Sequence, residues 1–169
     1  MLCDKKIYFF KVDVNSGTSV TFEDAYEKSK NIANALAKLG FKQGDVLYFV
    51  TFEMAQLYVV DLAVWLLGGA IRGCYQREAP GNYSTQNWHK RILFYESFWF
   101  MLIFPEVYTR QIIESKAKFV LVDADTAPVI KSAIGSVDWE VHLLSVGVTK
   151  VEDAIGYEDL CLEEDSSGF

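Results

Sequence analysis

The sequence predicts an α/β protein with a mainly parallel sheet, covering helices and an amino-terminal β-hairpin. Short runs of β-branched and aromatic residues, typical of buried strands, alternate with longer runs whose apolar residues have a helical spacing. The predicted strands are apolar on both faces, as in a parallel sheet that lies between two layers of helices. At 169 residues, the chain is long enough for one domain with a sizeable core.

Residues 44–74 contain the clearest strand–helix–strand unit. Its helix has apolar residues three and four positions apart and Asp61 as its one charge. We expect Gly68 and Gly69 to end this helix, because a residue without Cβ easily adopts the left-handed conformation. The predicted elements of the unit are the strand Val46–Val50, the helix Met54–Leu67 and the strand Ala70–Cys74.

A hairpin and a capped helix are predicted before this unit. Thr21 is the expected N-cap, and Asp24, three residues later, completes a capping box. Gly40 follows the last apolar position and is the expected end of the helix. The hairpin strands are Ile7–Val12 and Thr18–Thr21, the buried helical stripe is Ala25, Ser29, Ile32, Ala33, Leu36 and Leu39, and a solvated face carries Lys28, Lys30 and Lys38.

The carboxyl-terminal part repeats the strand and helix signals. Phe119–Val122 is apolar throughout and is predicted as a central strand. Asp123 and Asp125 follow it, at the end of the strand where open α/β sheets bind ligands. Two carboxylates there can hold a metal or cap the next helix, and the capping interpretation is favoured. The other predicted elements are the helix Thr109–Lys116, the helix Thr126–Ile134, the strand Val141–Val146 and an acidic, solvated tail over 152–169.

Charge and cysteine content restrict the class of protein. The net charge of −7 argues against a nucleic-acid partner, because no basic stripe is present to neutralise phosphates. Cys3, Cys74 and Cys161 are few and far apart, which fits reduced thiols better than a disulfide framework or a zinc site. No apolar run reaches the roughly 18 residues of a membrane span, and the first residues lack a secretory pattern. We expect an intracellular protein, cytoplasmic or peroxisomal and not secreted.

The chain contains, in order, Thr21–Ala25 (Thr-Phe-Glu-Asp-Ala), Ala35–Gly40 (Ala-Leu-Ala-Lys-Leu-Gly), Lys42–Val46 (Lys-Gln-Gly-Asp-Val), Leu62–Ala70 (Leu-Ala-Val-Trp-Leu-Leu-Gly-Gly-Ala), Tyr108–Asp123 and Tyr157–Leu160. This succession resembles the amino-terminal part of the AMP-forming adenylate ligases, the superfamily of acyl-CoA synthetases, 4-coumarate–CoA ligases, luciferases and peptide-synthetase adenylation domains. The order and spacing of the segments carry the resemblance, which covers nearly the whole chain except its middle.

The resemblance implies a function for the full-length family member. Such an enzyme activates a carboxylic acid, fatty or aryl, with ATP and then forms the CoA thioester, so ATP, Mg²⁺, CoA and a small-molecule acid are the implied cofactors and partners. The family's phosphate-binding loop and catalytic lysine come from later parts of its chain, and no segment here matches them. We therefore assign no catalytic, cofactor-binding or metal-binding residue, and we expect residues 1–169 to be an inactive amino-terminal fragment of the AMP-binding domain.

Two other classes of function stay open. A non-catalytic, truncated interaction module would attach to a partner through Trp99 and its aromatic neighbours. A small α/β enzyme of another kind would need a clustered site, whereas His89 and His142 lie apart from the cysteines and from paired carboxylates. His142 alternates with Val141 and Leu143, so we expect it at the surface or in a satisfied core position.

Residues 82–106 depart from the family pattern, which passes through a brief loop from the strand near Cys74 to the helix at Tyr108. The segment is hydrophobic, and it has neither a clean helical nor an alternating period. It holds eight aromatic residues: Tyr83, Trp88, Phe94, Tyr95, Phe98, Trp99, Phe100 and Phe104.

We interpret segment 82–106 as a retained, translated intron. Gly81 and Asn82 can be encoded with a donor-like GTAAC, and 103–106 with a pyrimidine-rich tract ending in CAG. Removing the segment restores the family's spacing. The alternative is a lineage-specific surface loop with a lid role or weak membrane contact through 92–105, since large exposed apolar patches mark such sites. Genomic sequence tests the intron: GT and AG are expected at the two points, and their absence excludes it.

Overall fold

The computed structural model describes residues 9–12, 19–73 and 105–162. They form a two-stranded antiparallel sheet and a five-stranded parallel sheet with helices on both faces, which confirms the predicted α/β class. In chain order the elements are β1 (Phe9–Val12), β2 (Ser19–Thr21), α1 (Phe22–Lys38), β3 (Val46–Val50), α2 (Met54–Leu66), β4 (Ala70–Gly73), α3 (Pro105–Ser115), β5 (Phe119–Val122), α4 (Ala127–Ile134), β6 (His142–Ser145), β7 (Ile155–Gly156) and α5 (Tyr157–Cys161).

The five-stranded sheet has the order β4-β3-β5-β6-β7, and each neighbouring pair is parallel. Numbered by chain order within this sheet, the strands run 2-1-3-4-5, which is a doubly wound order. Strand β5 lies in the middle and all four of its residues are buried, so the prediction of a central strand is confirmed. The strand order reverses between β3 and β5.

Alternate side chains of the strands enter two separate hydrophobic cores. Leu47 and Phe119 lie in the core that α1, α2 and α5 cover, whereas Tyr48 and Val120 lie in the core under α3 and α4. The buried Tyr48 hydroxyl donates a hydrogen bond to Oε1 of Gln111 on α3, so the polar end of this ring is satisfied inside the core. The apolar character of both strand faces therefore follows from the two helix layers.

Helix α1 begins with the predicted capping box. Thr21 Oγ1 accepts the N–H of Asp24 at 3.0 Å, and Asp24 Oδ2 accepts the N–H of Thr21 at 3.3 Å. The side-chain hydrogen bond from Thr21 holds the pKa of Asp24 below its usual value.

Two of the three lysines predicted on the solvated face of α1 also lie over aromatic rings. The ammonium of Lys28 lies 5.8 Å from the ring centroid of Tyr157, and that of Lys30 lies 5.3 Å from the ring centroid of Tyr26. Both lysines are half-buried and only Lys38 is exposed. The reason is that a long aliphatic stem can follow an aromatic surface while the charge stays in water.

Two glycines end α1 and α2 as predicted, with φ of +94° at Gly40 and +69° at Gly68. At the end of α2, the N–H of Gly69 donates to the carbonyl of Val64 at 2.9 Å. This bond spans five positions and is the wider of the two hydrogen bonds that define a Schellman motif. A Cβ at Gly69 would lie 2.5 Å from the ring of Phe41. The second glycine of the pair is therefore required by packing and not by its dihedral angles.

Helix α3 begins four residues before the predicted start at Thr109. Pro105 is its first residue and Glu106 lies in its first turn. Proline suits the first helical position because its missing N–H would have no helical partner there, and a carboxylate is favourable near a helix N-terminus. Pro105 and Glu106 thus belong to a helix, while 82–104 lies outside the described residues.

The acidic tail predicted over 152–169 contains regular structure. Strand β7 pairs in parallel with β6, and α5 packs against α1. Tyr157 and Leu160 are buried whereas Glu158 and Asp159 are exposed, so the segment has an apolar side that its acidic composition conceals. Residues 163–169 lie outside the described ranges.

Helix α2 carries a buried carboxyl group. Asp61 is 8% exposed, and its Oδ1 has no hydrogen-bond partner among the described residues. Burial raises the pKa of Asp61 from 3.8 to about 6. Because the ordinary pKa of the unfolded chain is lower, the unfolded state binds fewer protons between these values. The buried carboxylate therefore destabilises the fold increasingly as the pH rises through this window.

We predict that Asp61→Asn raises the free energy of unfolding at pH 7.5 by about 1–2 kcal/mol, because the amide carries no charge to desolvate. At pH 4.5 the gain should be smaller, since native Asp61 is then largely protonated. Urea unfolding at both values measures this, with the exposed Asp138→Asn as control. Equal gains at the two pH values would contradict the prediction.

Candidate functional site

The candidate site is the carboxyl edge of the parallel sheet, where β3, β5 and β6 end. Open α/β sheets bind ligands at this edge, at the point where the strand order reverses. Here that point lies between β3 and β5. A cavity of about 150 Å³ occupies it, and its wall is formed by residues 52–53, 123–125 and 146–149.

Asp123 connects the ends of β3 and β5. Its side chain is 8% exposed, its Oδ2 accepts the N–H of Phe52 at 2.8 Å, and its Oδ1 accepts the N–H of Thr126 at 2.9 Å. The Thr126 hydroxyl lies 2.7 Å from the carbonyl oxygen of Val50, to which it donates. Asp123 thus holds the turn that leads into α4, as the capping interpretation expects, although Thr126 occupies the N-cap position itself.

The loop after β6 closes the third side of the cavity. The backbone N–H of Gly147 donates to Oε1 of Gln56 in the first turn of α2. Gly147 has a φ of +90°, and a Cβ there would lie 3.4 Å from Cγ of Glu53. The hydrogen bond to Gln56 places this loop against the start of α2.

This arrangement suits one wall of a ligand site better than a complete site. The cavity of about 150 Å³ is below the roughly 300–1,000 Å³ of typical small-molecule pockets, so the residues present do not fit a whole nucleotide. Both carboxylate oxygens of Asp123 already accept backbone N–H groups. Within the described ranges, no group of three or more His, Cys, Asp and Glu residues could hold a metal ion.

The other titratable residues singled out in the sequence lie away from this edge. His142 is half-buried at the start of β6, and its ring is stacked on that of Phe119 with 4.9 Å between the centroids. Cys161 lies in α5, and burial raises the pKa of its thiol to about 11, which disfavours the thiolate that a nucleophile needs. His89 and Trp99 lie outside the described residues, and the assignment of no catalytic residue stays a prediction.

Sequence reasoning located Asp123 but missed its link to Phe52. The bond between Asp123 and Thr126 has a signal in the sequence, because the two residues are three positions apart, as in a local side-chain–backbone turn. A bond between residues 71 positions apart leaves no such local signal.

Comparison with known proteins adds the family. The family model described as AMP-binding enzyme matches residues 3–95, more than half of the chain. The chain belongs to the AMP-binding enzyme family. A similar sequence is the 4-coumarate–CoA ligase-like 1 of Arabidopsis thaliana, which is 22% identical over 157 residues. The match covers 93% of this chain and 23% of the relative.

Solved structures of adenylate-forming enzymes share the fold of this chain. An anthranilate CoA ligase in complex with anthranoyl-AMP superposes with a TM-score of 0.64 at 18% identity, covering 85% of this chain and 23% of the other. A red-emitting luciferase from Phrixothrix hirtus gives 0.66 at 11% identity, covering 92% and 32%. The chain thus spans about a quarter to a third of the length of these relatives.

None of the helices in the described ranges is both long enough and apolar enough to cross a membrane. The predicted weak membrane contact through 92–105 falls outside the described residues.

We predict that Asp123→Ala lowers the free energy of unfolding by about 2–3 kcal/mol, because it removes the acceptor of the buried Thr126 N–H and of the part-buried Phe52 N–H. Asp125→Ala is the matched control: it removes an exposed carboxylate from the same turn and should change stability by less than about 0.5 kcal/mol. Urea unfolding measures both. Similar effects of the two substitutions would show that Asp123 does not hold the ends of β3 and β5 together.

Proposed function

We propose that this chain is the amino-terminal part, residues 1–169, of an ATP-dependent acid–thiol ligase. The whole enzyme would convert a fatty or aryl carboxylic acid to an acyl-adenylate with ATP and then to the CoA thioester. In this proposal the chain supplies the supporting sheet and one wall of the site, and it is inactive alone. The acid, ATP, Mg²⁺ and CoA are ligands of the whole enzyme, which we place in the cytoplasm or the peroxisome.

The observation that carries the proposal is the combination of family membership with partial length. The chain matches the AMP-binding family model, yet it spans 23% of the 4-coumarate–CoA ligase-like relative. The names of the relatives favour acid–CoA ligation, since one structure is an anthranilate CoA ligase holding anthranoyl-AMP. The small cavity at the carboxyl edge supports a role as one wall, because a nucleotide needs additional chain around it.

Segment 82–106 is part of the same proposal. We propose that it is an insertion relative to the family and that the enzyme does not need it for activity. The match to the family model includes 82–95 and ends there, inside the segment. A version of the chain that lacks 82–104 keeps Pro105 and Glu106, the first residues of α3.

ATP–pyrophosphate exchange tests the proposal. The isolated chain should give no exchange above a blank with 4-coumarate, anthranilate, benzoate or a long-chain fatty acid. A chimera that joins this chain to the part of the Arabidopsis relative that follows the matched region should restore exchange, because the phosphate-binding and catalytic groups come from that part. The chimera should be made with and without 82–104.

Two results would overturn the proposal. Exchange by the isolated chain would show that it contains a complete site of its own. A folded chimera that gives no exchange with any of the acids, in either version, would show that this chain does not supply the scaffold of a ligase. Circular dichroism and a cooperative thermal transition establish that the chimera is folded.

A further inference from the structure

A side-chain hydrogen bond ties the loop after β6 to helix α2 beside the cavity at the carboxyl edge. Oε1 of Gln56, in the first turn of α2, accepts the N–H of Gly147 at 2.5 Å, and the two residues are 91 positions apart. Gly147 belongs to the cavity wall, and Gln56 contacts it through this bond. Gln56 can therefore act on a ligand through Gly147 and its loop.

The helix side of this hydrogen bond is firmly held. The N–H of Phe52 donates to the buried Asp123 at 2.8 Å, and the N–H of Glu53 donates to Oγ1 of Thr51 at 3.0 Å. These bonds fix the turn between β3 and α2. Gln56 thus extends from a backbone whose position is already set.

The loop side depends more strongly on the bond. Val146 is 1% exposed and its N–H donates to the carbonyl of Val122 at 2.9 Å, so the sheet holds the chain as far as this residue. Residues 148–150, by contrast, are exposed. Gly147 lies between the two parts with a φ of +90°, a conformation that glycine adopts easily. The bond to Gln56 therefore acts at the point where contact with the core ends.

A bond in this place affects binding more than folding. The exposed loop can move without opening the core, so the sheet should keep its structure when the bond is lost. A ligand that contacts a mobile loop must order it on binding, and the ordering lowers the affinity. A loop that is already held in place spares the ligand this cost.

We propose that Gln56 is a positioning residue of the ligand site, which holds loop 146–149 in the place where a substrate contacts it. The inference rests on the proposed function, because the site is complete only in the whole ligase. Gln56 touches no substrate in this arrangement. Its effect passes through the N–H of Gly147 to the wall of the cavity.

Steady-state kinetics of the chimera with the Arabidopsis remainder test the proposal. Gln56→Met keeps the length of the side chain but has only a weak acceptor. It should raise the KM for at least one substrate about three- to tenfold and change kcat by less than about twofold, because the loop must be ordered on binding. The substrates are ATP, CoA and whichever of the four acids gives the fastest exchange. The KM that rises identifies the substrate that contacts the wall.

Two further variants make this test specific. Gln56→Glu keeps an acceptor oxygen near Gly147 and should restore most of the lost affinity. Gln43→Met is the matched control, since Gln43 is an exposed glutamine that precedes β3 at the opposite edge of the sheet. It should leave all three KM values unchanged.

A purely structural role for Gln56 gives a different result. It would reduce the fraction of folded enzyme, so kcat would fall while each KM stayed the same. That result overturns the inference, and so do equal changes in KM for Gln56→Met and Gln43→Met.

Hydrogen exchange in the same chimera tests the geometric step by itself. Gln56→Met should speed the exchange of amides 147–150 at least about tenfold and leave those of β5 unchanged, since only the loop is released. Unchanged exchange in the loop would show that the bond to Gln56 does not hold it, and would overturn the inference.

The outcome can be separated from that of the proposed function. An active chimera whose KM values do not respond to Gln56→Met keeps the ligase proposal and rejects the positioning role. A folded chimera without any exchange activity, before Gln56 is changed, rejects the ligase proposal itself.

Discussion

The pairing of β3 with β5 is the interaction on which the rest of the structure depends. The two strands lie side by side although their bracketing residues Asp45 and Lys118 are 73 positions apart, so their pairing must offset the entropy of closing a long loop. Polar links fasten the pair at both ends. Lys118 and Asp45 form an ion pair of 2.9 Å at the amino edge, and Thr126 bonds to the Val50 carbonyl at 2.7 Å at the carboxyl edge.

These two links differ in strength for a physical reason. The side chain of Lys118 is half exposed, and exposed ion pairs contribute little because water and salt screen them. Thr126 and Asp123 are buried, where a lost hydrogen bond leaves a donor without a partner and costs more. The carboxyl edge is therefore the better fastened end, and it is also the end at which doubly wound sheets bind ligands. Buried hydrogen bonds at this edge keep the strand ends in fixed positions, and a binding site requires such fixed positions.

Local sequence signals predicted the elements well where they were strong. The strands Val46–Val50 and Phe119–Val122 have the predicted ends, and Gly40 and Gly68 adopt positive φ where helices were expected to stop. The predictions failed at two helices, α3 and α5, whose local sequence did not indicate their structure. The start of α3 at Pro105 was not predicted, because the residues before it have no helical periodicity. Helix α5 was not predicted, because the acidic composition of its segment reflects only its exposed side.

The sequence by itself determined the class of fold and the order of the elements as far as β6, because these follow from periodicity and caps. Its resemblance to the adenylate ligases indicated the family. Only the tertiary structure decided which strands are neighbours, that Asp123 bonds to Phe52 across the sheet, and that residues of α1 and α2 form one apolar groove. Phe22 and Trp65 are far apart in the chain, and no local sequence pattern of either residue predicts that they lie close together. Such contacts depend on how distant segments pack, and a linear pattern carries no information on that.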